Sequence, residues 1–244
     1  MCAALARSTM RAMAAIEIEH LHKSYGDVVA VDDVSLSVER GESFGIIGVN
    51  GAGKTTTVEC VSGLTRPDRG RVSILGLDPI EERDEIRRRV GVQLQESVLP
   101  DRLTVTEALT LHAAFYENPA EPLELIERLG LTHRRDAPYG KLSGGEKQKL
   151  SVGLALVGRP EVAILDELTT GLDPHARRET WSLIEGLREQ GLTVLLVTHF
   201  MDEVERLCDR VAVIHQGRVK ALGTPAQLSE ATASLEDAFV ELTA

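Results

Sequence analysis

The run Gly48-Val49-Asn50-Gly51-Ala52-Gly53-Lys54-Thr55 has the spacing G-x-x-x-x-G-K-[ST]. Glycines at its bends let consecutive backbone N–H groups curl around phosphate oxygens, and a helix opening at its end adds the positive end of a dipole. Lys54 would reach the β- and γ-phosphates of a nucleotide, and the Thr55 hydroxyl would ligate Mg²⁺. A second candidate is Val162-Ala163-Ile164-Leu165-Asp166-Glu167, an apolar run ending in two acids. Alternation along a strand points these neighbours in different directions, so they can hold different jobs. Asp166 would hold Mg²⁺ through water, and Glu167 would polarise an attacking water. General-base help of that kind is worth about 10²–10⁴-fold. Acids also mark the ordinary end of a buried strand; the phosphate-type loop upstream is what gives this pair a chemical reading.

Leu142-Ser143-Gly144-Gly145-Glu146 supports two readings. Ser143 and Glu146 have capping-box spacing, which accounts for them as the start of a helix. Two glycines after the cap lower helix propensity by about 1 kcal/mol each relative to alanine. Their use would be to expose backbone N–H groups to an anion. A cap in the free subunit and a clamp on the phosphate of a second subunit are compatible.

These residues need elements to hold them. Residues 16–36 read as short alternating strands with a turn at Tyr25-Gly26-Asp27, and 44–47 as a brief apolar strand entering the glycine-rich loop. A helix over 54–63 and strands at 71–75 and 90–93 follow. The character then changes: Thr104 and Glu107 open a helix on which Val105, Ala108, Leu109, His112 and Phe115 share a face. Asn118-Pro119 and Glu121-Pro122 break it, and helices over 123–129 and from Ser143 complete a helical stretch over 96–158. Strand–helix alternation returns at 162–166, with a helix from Pro174 behind the capping Asp173, a strand at 192–198, a helix at 201–208 and a strand at 211–215. This order predicts a mostly parallel α/β sheet with a helical insertion.

Composition narrows the setting. The chain has 27 Lys+Arg against 38 Asp+Glu, a net charge of −11. That balance argues against nucleic acid and against direct insertion into or adhesion to anionic lipid. No apolar run approaches the roughly 18–20 residues that span a bilayer. Three separated cysteines give neither a disulfide framework nor a zinc site. Residues 1–15 carry Arg7 and Arg11, no acid and no sustained apolar stretch, and are expected to be a disordered or non-native start. His20 and His22 lack a third ligand, and the arginines at 87–89, 134–135 and 177–178 read as solvated helix faces. No guanine-reading N-K-x-D segment is present.

With the 142–146 segment in place, the chain resembles the ATP-binding cassette (ABC) ATPases over about residues 16–223. The resemblance implies that Tyr25 stacks on adenine, and that Gly48, Asn50, Gly51, Ala52, Gly53, Lys54, Thr55 and Thr56 form the Walker A site. Gln95 matches the Q-loop glutamine that contacts Mg²⁺ and the lytic water. Ser143, Gly144, Gly145 and Glu146 match the signature acting on a partner's ATP, and Asp166 with Glu167 the Walker B acid and catalytic glutamate. Asp173 belongs to the D-loop, and His199 to the switch position touching the γ-phosphate. Glu146 stands where glutamine is more usual, and Leu168 where proline is.

The implied fold is a P-loop NTPase core over 16–95 and 159–223 with a small N-terminal antiparallel β part. A helical subdomain over 96–158 and a short helical tail over 224–244 complete it. The implied ligands are ATP and Mg²⁺. The implied partners are a second copy or homologous ATPase subunit and an integral-membrane permease at the cytoplasmic face. Thr198-His199-Phe200-Met201-Asp202-Glu203 and the run from Leu235 to Thr243 look like ATPase subunits of drug- and antibiotic-type exporters. An importer ATPase and a soluble cassette ATPase in cofactor assembly are the alternatives.

Overall fold

The computed structural model describes residues 14–94 and 98–244. Its strands are β1 (Ala14–Tyr25), β2 (Val28–Glu39), β3 (Ser43–Ile47), β4 (Arg69–Ile74), β5 (Val90–Gln93), β6 (Val162–Asp166), β7 (Thr193–Thr198), β8 (Arg210–His215) and β9 (Arg218–Gly223). The helices are α1 (Lys54–Val61), α2 (Arg83–Arg89), α3 (Val105–Ala113), α4 (Pro122–Arg128), α5 (Gly144–Leu156), α6 (Pro174–Arg188), α7 (Met201–Leu207), α8 (Pro225–Leu228) and α9 (Leu235–Thr243). The first strand starts at Ala14, slightly before the expected 16. β9, which closes an antiparallel hairpin on β8 through Gly217, was not anticipated.

Two sheets result. β2, β1 and β4 form an antiparallel sheet in that order, and the second sheet runs β5-β6-β7-β3-β8-β9. Every pairing in the second sheet is parallel except β8 with β9. The continuous apolar runs of β3, β6 and β7 are explained by burial of every residue, as expected for strands covered on both faces.

Alternation sorts these strands between two cores. Ile46, Ile164, Leu195 and Val197 face a core shared with the antiparallel sheet through Ile16, Ile18 and Val38. Ile47, Ala163, Leu165, Val194 and Leu196 face the other side, covered by Trp181, Ile184 and Leu187 of α6 and Val204 and Leu207 of α7. α9 adds Leu235, with Phe239 and Leu242 packed alongside.

A third core gathers Val105, Leu109, Ile126 and Leu150 from α3, α4 and α5, with Leu129 at the C-terminal cap of α4. α3 begins with the expected capping box: Glu107 N–H donates to Thr104 Oγ1 at 3.2 Å, and Thr104 N–H to the Glu107 carboxylate at 2.9 Å. α5 ties this core to the sheet, because Leu150 packs among the helices while Val152 and Leu156 pack on the α6 side. Among the described residues no helix is long and apolar enough to cross a membrane.

The α5–β5 seam depends on one glycine. A Cβ on Gly91 would lie 2.0 Å from the Ala155 carbonyl oxygen, a backbone atom that cannot turn aside. Gly91→Ala is therefore expected to lower stability by about 1–3 kcal/mol, as overpacking does. A drop in the urea midpoint, at unchanged slope, is the measurement.

Candidate active site

The glycine-rich loop leaves the buried end of β3 and turns into α1 at Gly53, whose φ is 103°. Neighbouring backbone sets its path. A Cβ on Gly48 would sit 2.3 Å from the Ile214 carbonyl oxygen, and one on Gly53 2.3 Å from that of Ala30. The β8–β9 turn clamps the loop from below, with Gly217 N–H donating to Ala52 O at 2.9 Å and Asp32 N–H to Gly217 O at 2.8 Å. No side chain caps α1 and no acid stands in its first turn, so its leading N–H groups face the cleft as anion donors.

Lys54 is 7% exposed, and its Nζ donates to Gly48 O at 2.8 Å and Val49 O at 3.1 Å. Burial pushes its pKa down, opposed by the charges of Glu167 and Asp166. Asp166, 3% exposed at the end of β6, is pushed up to about 6 by burial and then by Glu167, with Lys54 pulling the other way. Glu167 takes a left-handed backbone, φ 51°, uncommon for a residue with a Cβ. Strain of this kind costs about 1–3 kcal/mol and clusters at active sites. Two features hold it: Glu167 N–H extends the β6–β7 ladder to Val197 O at 2.8 Å, and Leu168 is buried in the α6-side core. Leu168 thus anchors the position where proline is more usual.

His199 follows β7 and places Nδ1 3.6 Å from Glu167 Oε1. Its ring lies 4.1 Å from that of Phe200, centre to centre, and the Arg177 guanidinium covers the other ring at 4.5 Å.

The structure brings Gly48, Asn50, Gly51, Gly53, Lys54, Thr55, Thr56, Asp166, Glu167 and His199 around one cleft of about 880 Å³. Ala52 instead packs into the core under the loop. Tyr25 is half exposed, its hydroxyl donating to Glu59 Oε2 at 3.3 Å, and it does not line the cleft. Gln95 lies outside the described residues. Just before it, Gln93 Nε2 donates to Asp166 O at 3.2 Å and joins the ends of β5 and β6.

Besides Val49 within the loop, four cleft residues escaped the sequence expectations: Val28, Val29, Ala30 and, from α9, Phe239. An exposed valine pair beside a turn was a readable signal for the first two. Phe239 had none, since only the tertiary fold carries it there.

The donor set fits a magnesium nucleotide. Magnesium takes hard oxygen ligands, typically one or two from protein with phosphate and water supplying the rest. The Thr55 hydroxyl and the buried Asp166 carboxyl line the same cleft as the anion-binding loop. Among the described residues no cluster of three or more His, Cys, Asp or Glu forms a self-sufficient metal cage.

None of Ser143, Gly144, Gly145, Glu146 and Asp173 lines this cleft. Ser143 caps α5 in a closed box: Ser143 N–H donates to Glu146 Oε2 at 2.7 Å, and Glu146 N–H to Ser143 Oγ at 3.3 Å. The Arg134 guanidinium, donating to Glu146 Oε1 at 2.8 Å, is the main cause that holds the Glu146 carboxyl down at about 2. Gly145 has a packing reason, since a Cβ would meet Ala176 Cβ at 3.0 Å, whereas one on Gly144 would meet nothing within 4 Å. Asp173 caps α6, accepting from His175 N–H at 2.9 Å and Ala176 N–H at 3.1 Å.

A phosphate-binding loop beside two strand-end acids, on a mostly parallel sheet, defines a P-loop nucleotide hydrolase. Comparison with known proteins narrows the class. The ABC transporter family profile matches residues 31–170. Nod factor export ATP-binding protein I of Burkholderia orbicola is 43% identical over 224 residues, covering 89% of this chain and 73% of that one. The protein of the same name from Burkholderia pseudomallei is 44% identical over 225 residues, covering 90% and 74%. A solved ATP-binding subunit of an ABC transporter superposes with a TM-score of 0.84 at 33% identity, covering 93% of this chain and 99% of that one. The chain belongs to the ABC transporter family, as an ATP-binding subunit and an ATPase.

Asp166 makes stability depend on pH. Its carboxyl ionises near 3.8 when solvated but near 6 in the fold, so the native state keeps a proton that the unfolded chain has released. Stability from this group is full below pH 4 and is lost as pH rises through about 6. Without nucleotide or divalent cation, Asp166→Asn is expected to be the more stable protein at pH 8 by about 3 kcal/mol, at about 1.36 kcal/mol per pH unit. Denaturant curves at pH 4 and pH 8 test this: the gain must shrink at the lower pH.

Proposed function

We propose that this subunit hydrolyses MgATP in a head-to-tail pair and drives a membrane permease in the export direction. The observation that carries the reading is the convergence of Lys54, Asp166, Glu167 and His199 on the open N-terminus of α1. The loop N–H groups and Lys54 bind the phosphates. Glu167 accepts a proton from water as the water oxygen bonds to the γ-phosphorus, and the bond to the bridging oxygen breaks toward ADP. His199, beside the Glu167 carboxylate, orients it and reaches the γ-phosphate. Thr55, Asp166 and Gln95 would hold Mg²⁺, which would supply positive charge against the phosphates when bound. Tyr25 stacks on adenine from the margin of the cleft.

A second copy supplies Ser143, Gly144, Gly145 and Glu146 to each ATP, with Asp173 at the shared boundary. Their position outside their own chain's cleft supports this, as does Gly144, for which the chain's own packing gives no reason. The division into a core over 16–95 and 159–223, a helical subdomain over 96–158 and a tail over 224–244 belongs to the same reading. Between α2, β5 and the end of α3 lies a groove of about 510 Å³ lined by Arg87, Arg88, Val90, Val92, Phe115 and Tyr116. Phe115 is 74% exposed there, which suits a permease segment and a station at the cytoplasmic face. The names of the relatives support export over import or cofactor assembly.

Lys54→Ala removes a charge-assisted phosphate contact worth about 1.5–3 kcal/mol, so ATP affinity is expected to fall about tenfold or more. A titration with fluorescent ATP measures it; unchanged affinity would remove Lys54 from the site. Glu167→Gln is expected to bind ATP normally while kcat drops by about 10²–10⁴-fold. It should accumulate an ATP-dependent dimer in size-exclusion chromatography. A monomer that still hydrolyses ATP would overturn the assignment of Glu167.

A further inference from the structure

Behind the cleft lies a carboxyl that the chemistry above does not use. Glu203, on α7, is fully buried among the apolar side chains that cover the α6 face of the sheet. One oxygen, Oε1, accepts the Trp181 indole N–H at 3.1 Å, which joins α7 to α6. Burial raises its pKa, and the hydroxyls of Thr198 and Thr169 and the Trp181 N–H oppose that rise. Thr198 and Thr169 are themselves buried. The second oxygen, Oε2, and Thr169 Oγ1 each complete no well-formed hydrogen bond. An aliphatic side chain would fill this space without the desolvation cost of a carboxyl that has no cationic partner among the described residues.

The neighbours give the acid its meaning. Thr198 is the last residue of β7 and immediately precedes His199. It also receives the Phe200 N–H at 3.1 Å, which shapes the turn around the histidine. Thr169 lies two residues beyond Glu167, in the turn where Thr170 Oγ1 donates to Glu167 Oε2 at 3.4 Å. Trp181 stands on the helix that Asp173 begins. One carboxyl therefore bonds the helix behind the site and lies near the threonine that precedes the histidine and the one that follows the glutamate.

We propose that Glu203 is a positioning residue for hydrolysis, fixing the His199 turn against the Glu167 turn through Thr198, Thr169 and Trp181. The proposal rests on Glu167 and His199 acting as assigned above. Their 3.6 Å approach is made by two loops, and this acid lies behind both. Misplacing a general base by an ångström can cost about 10²-fold in rate while leaving phosphate binding intact. The effect of losing Glu203 should accordingly fall on kcat and spare ATP affinity.

The test compares steady-state ATPase kinetics, ATP affinity and thermal unfolding of the full chain in Glu203→Leu, Glu203→Gln and Thr169→Val, with Glu167→Gln alongside. Glu203→Leu is expected to lose at least about tenfold in kcat at an ATP Kd within about twofold of the parent. Its unfolding midpoint should be equal or higher, because an apolar group replaces a buried acid. Glu203→Gln keeps the shape and an acceptor oxygen for Trp181, and should restore kcat to within about threefold of the parent. Thr169→Val should share the kcat loss with its packing preserved, and it carries the test if Glu203→Leu does not fold. Full kcat in both Glu203→Leu and Thr169→Val, beside an inactive Glu167→Gln, would overturn the positioning role alone. Losses in Glu203→Leu that track falling stability, or a Glu203→Gln as impaired as Glu203→Leu, would overturn it too. An active Glu167→Gln would instead remove the general base on which the proposal stands.

Discussion

Lys54 is buried within reach of the charges of Asp166 and Glu167, in a protein whose net charge is −11. A polyanion gains nothing from the average field of such a molecule. It must be met by local donors: the turned loop, the first N–H groups of α1 and the desolvated ammonium of Lys54. That requirement explains the close packing beneath the loop. Gly48 lies against the Ile214 carbonyl and Gly53 against that of Ala30, so β8 and β2, one from each sheet, shape the same few peptide groups. Backbone therefore confines both ends of the loop at these two glycines.

Parallel pairing supplies the other half of the site. Asp166 pairs with Val197, and Ile47 with Thr198, so β6, β7 and β3 end nearly level. Whatever follows each strand emerges at the same edge of the sheet: the phosphate loop, Glu167 and His199. Ligands of open α/β sheets gather at that edge for this reason. The order β6-β7-β3 also sets the histidine-bearing strand between the acids and the loop.

Much of this was legible in the residues. The loop is a continuous motif whose function is local, and the apolar runs of β3, β6 and β7 announce strands buried on both faces. Capping residues marked α3, α5 and α6 because a cap is a contact within three positions. Contacts between distant segments were not legible. Nothing near Phe239 announces that α9 walls the cleft, and the bond from Gln93 to Asp166 O crosses a strand pair from residues far apart in the chain. β9 escaped notice because its exposed and half-buried residues, with arginine and lysine among them, carry little hydrophobic pattern. Ala52, read as a nucleotide contact from its place in the motif, turns its methyl into the core beneath.

The wall contributed by α9 bears on the order in which the protein is made. Val28 and Val29, on one side of the cleft, leave the ribosome long before Phe239, which follows the nine strands of the described residues. Chains generally fold from the N-terminus as they emerge. The phosphate loop can therefore gain its strands while translation continues, whereas a cleft with all its walls belongs only to chains that have reached α9.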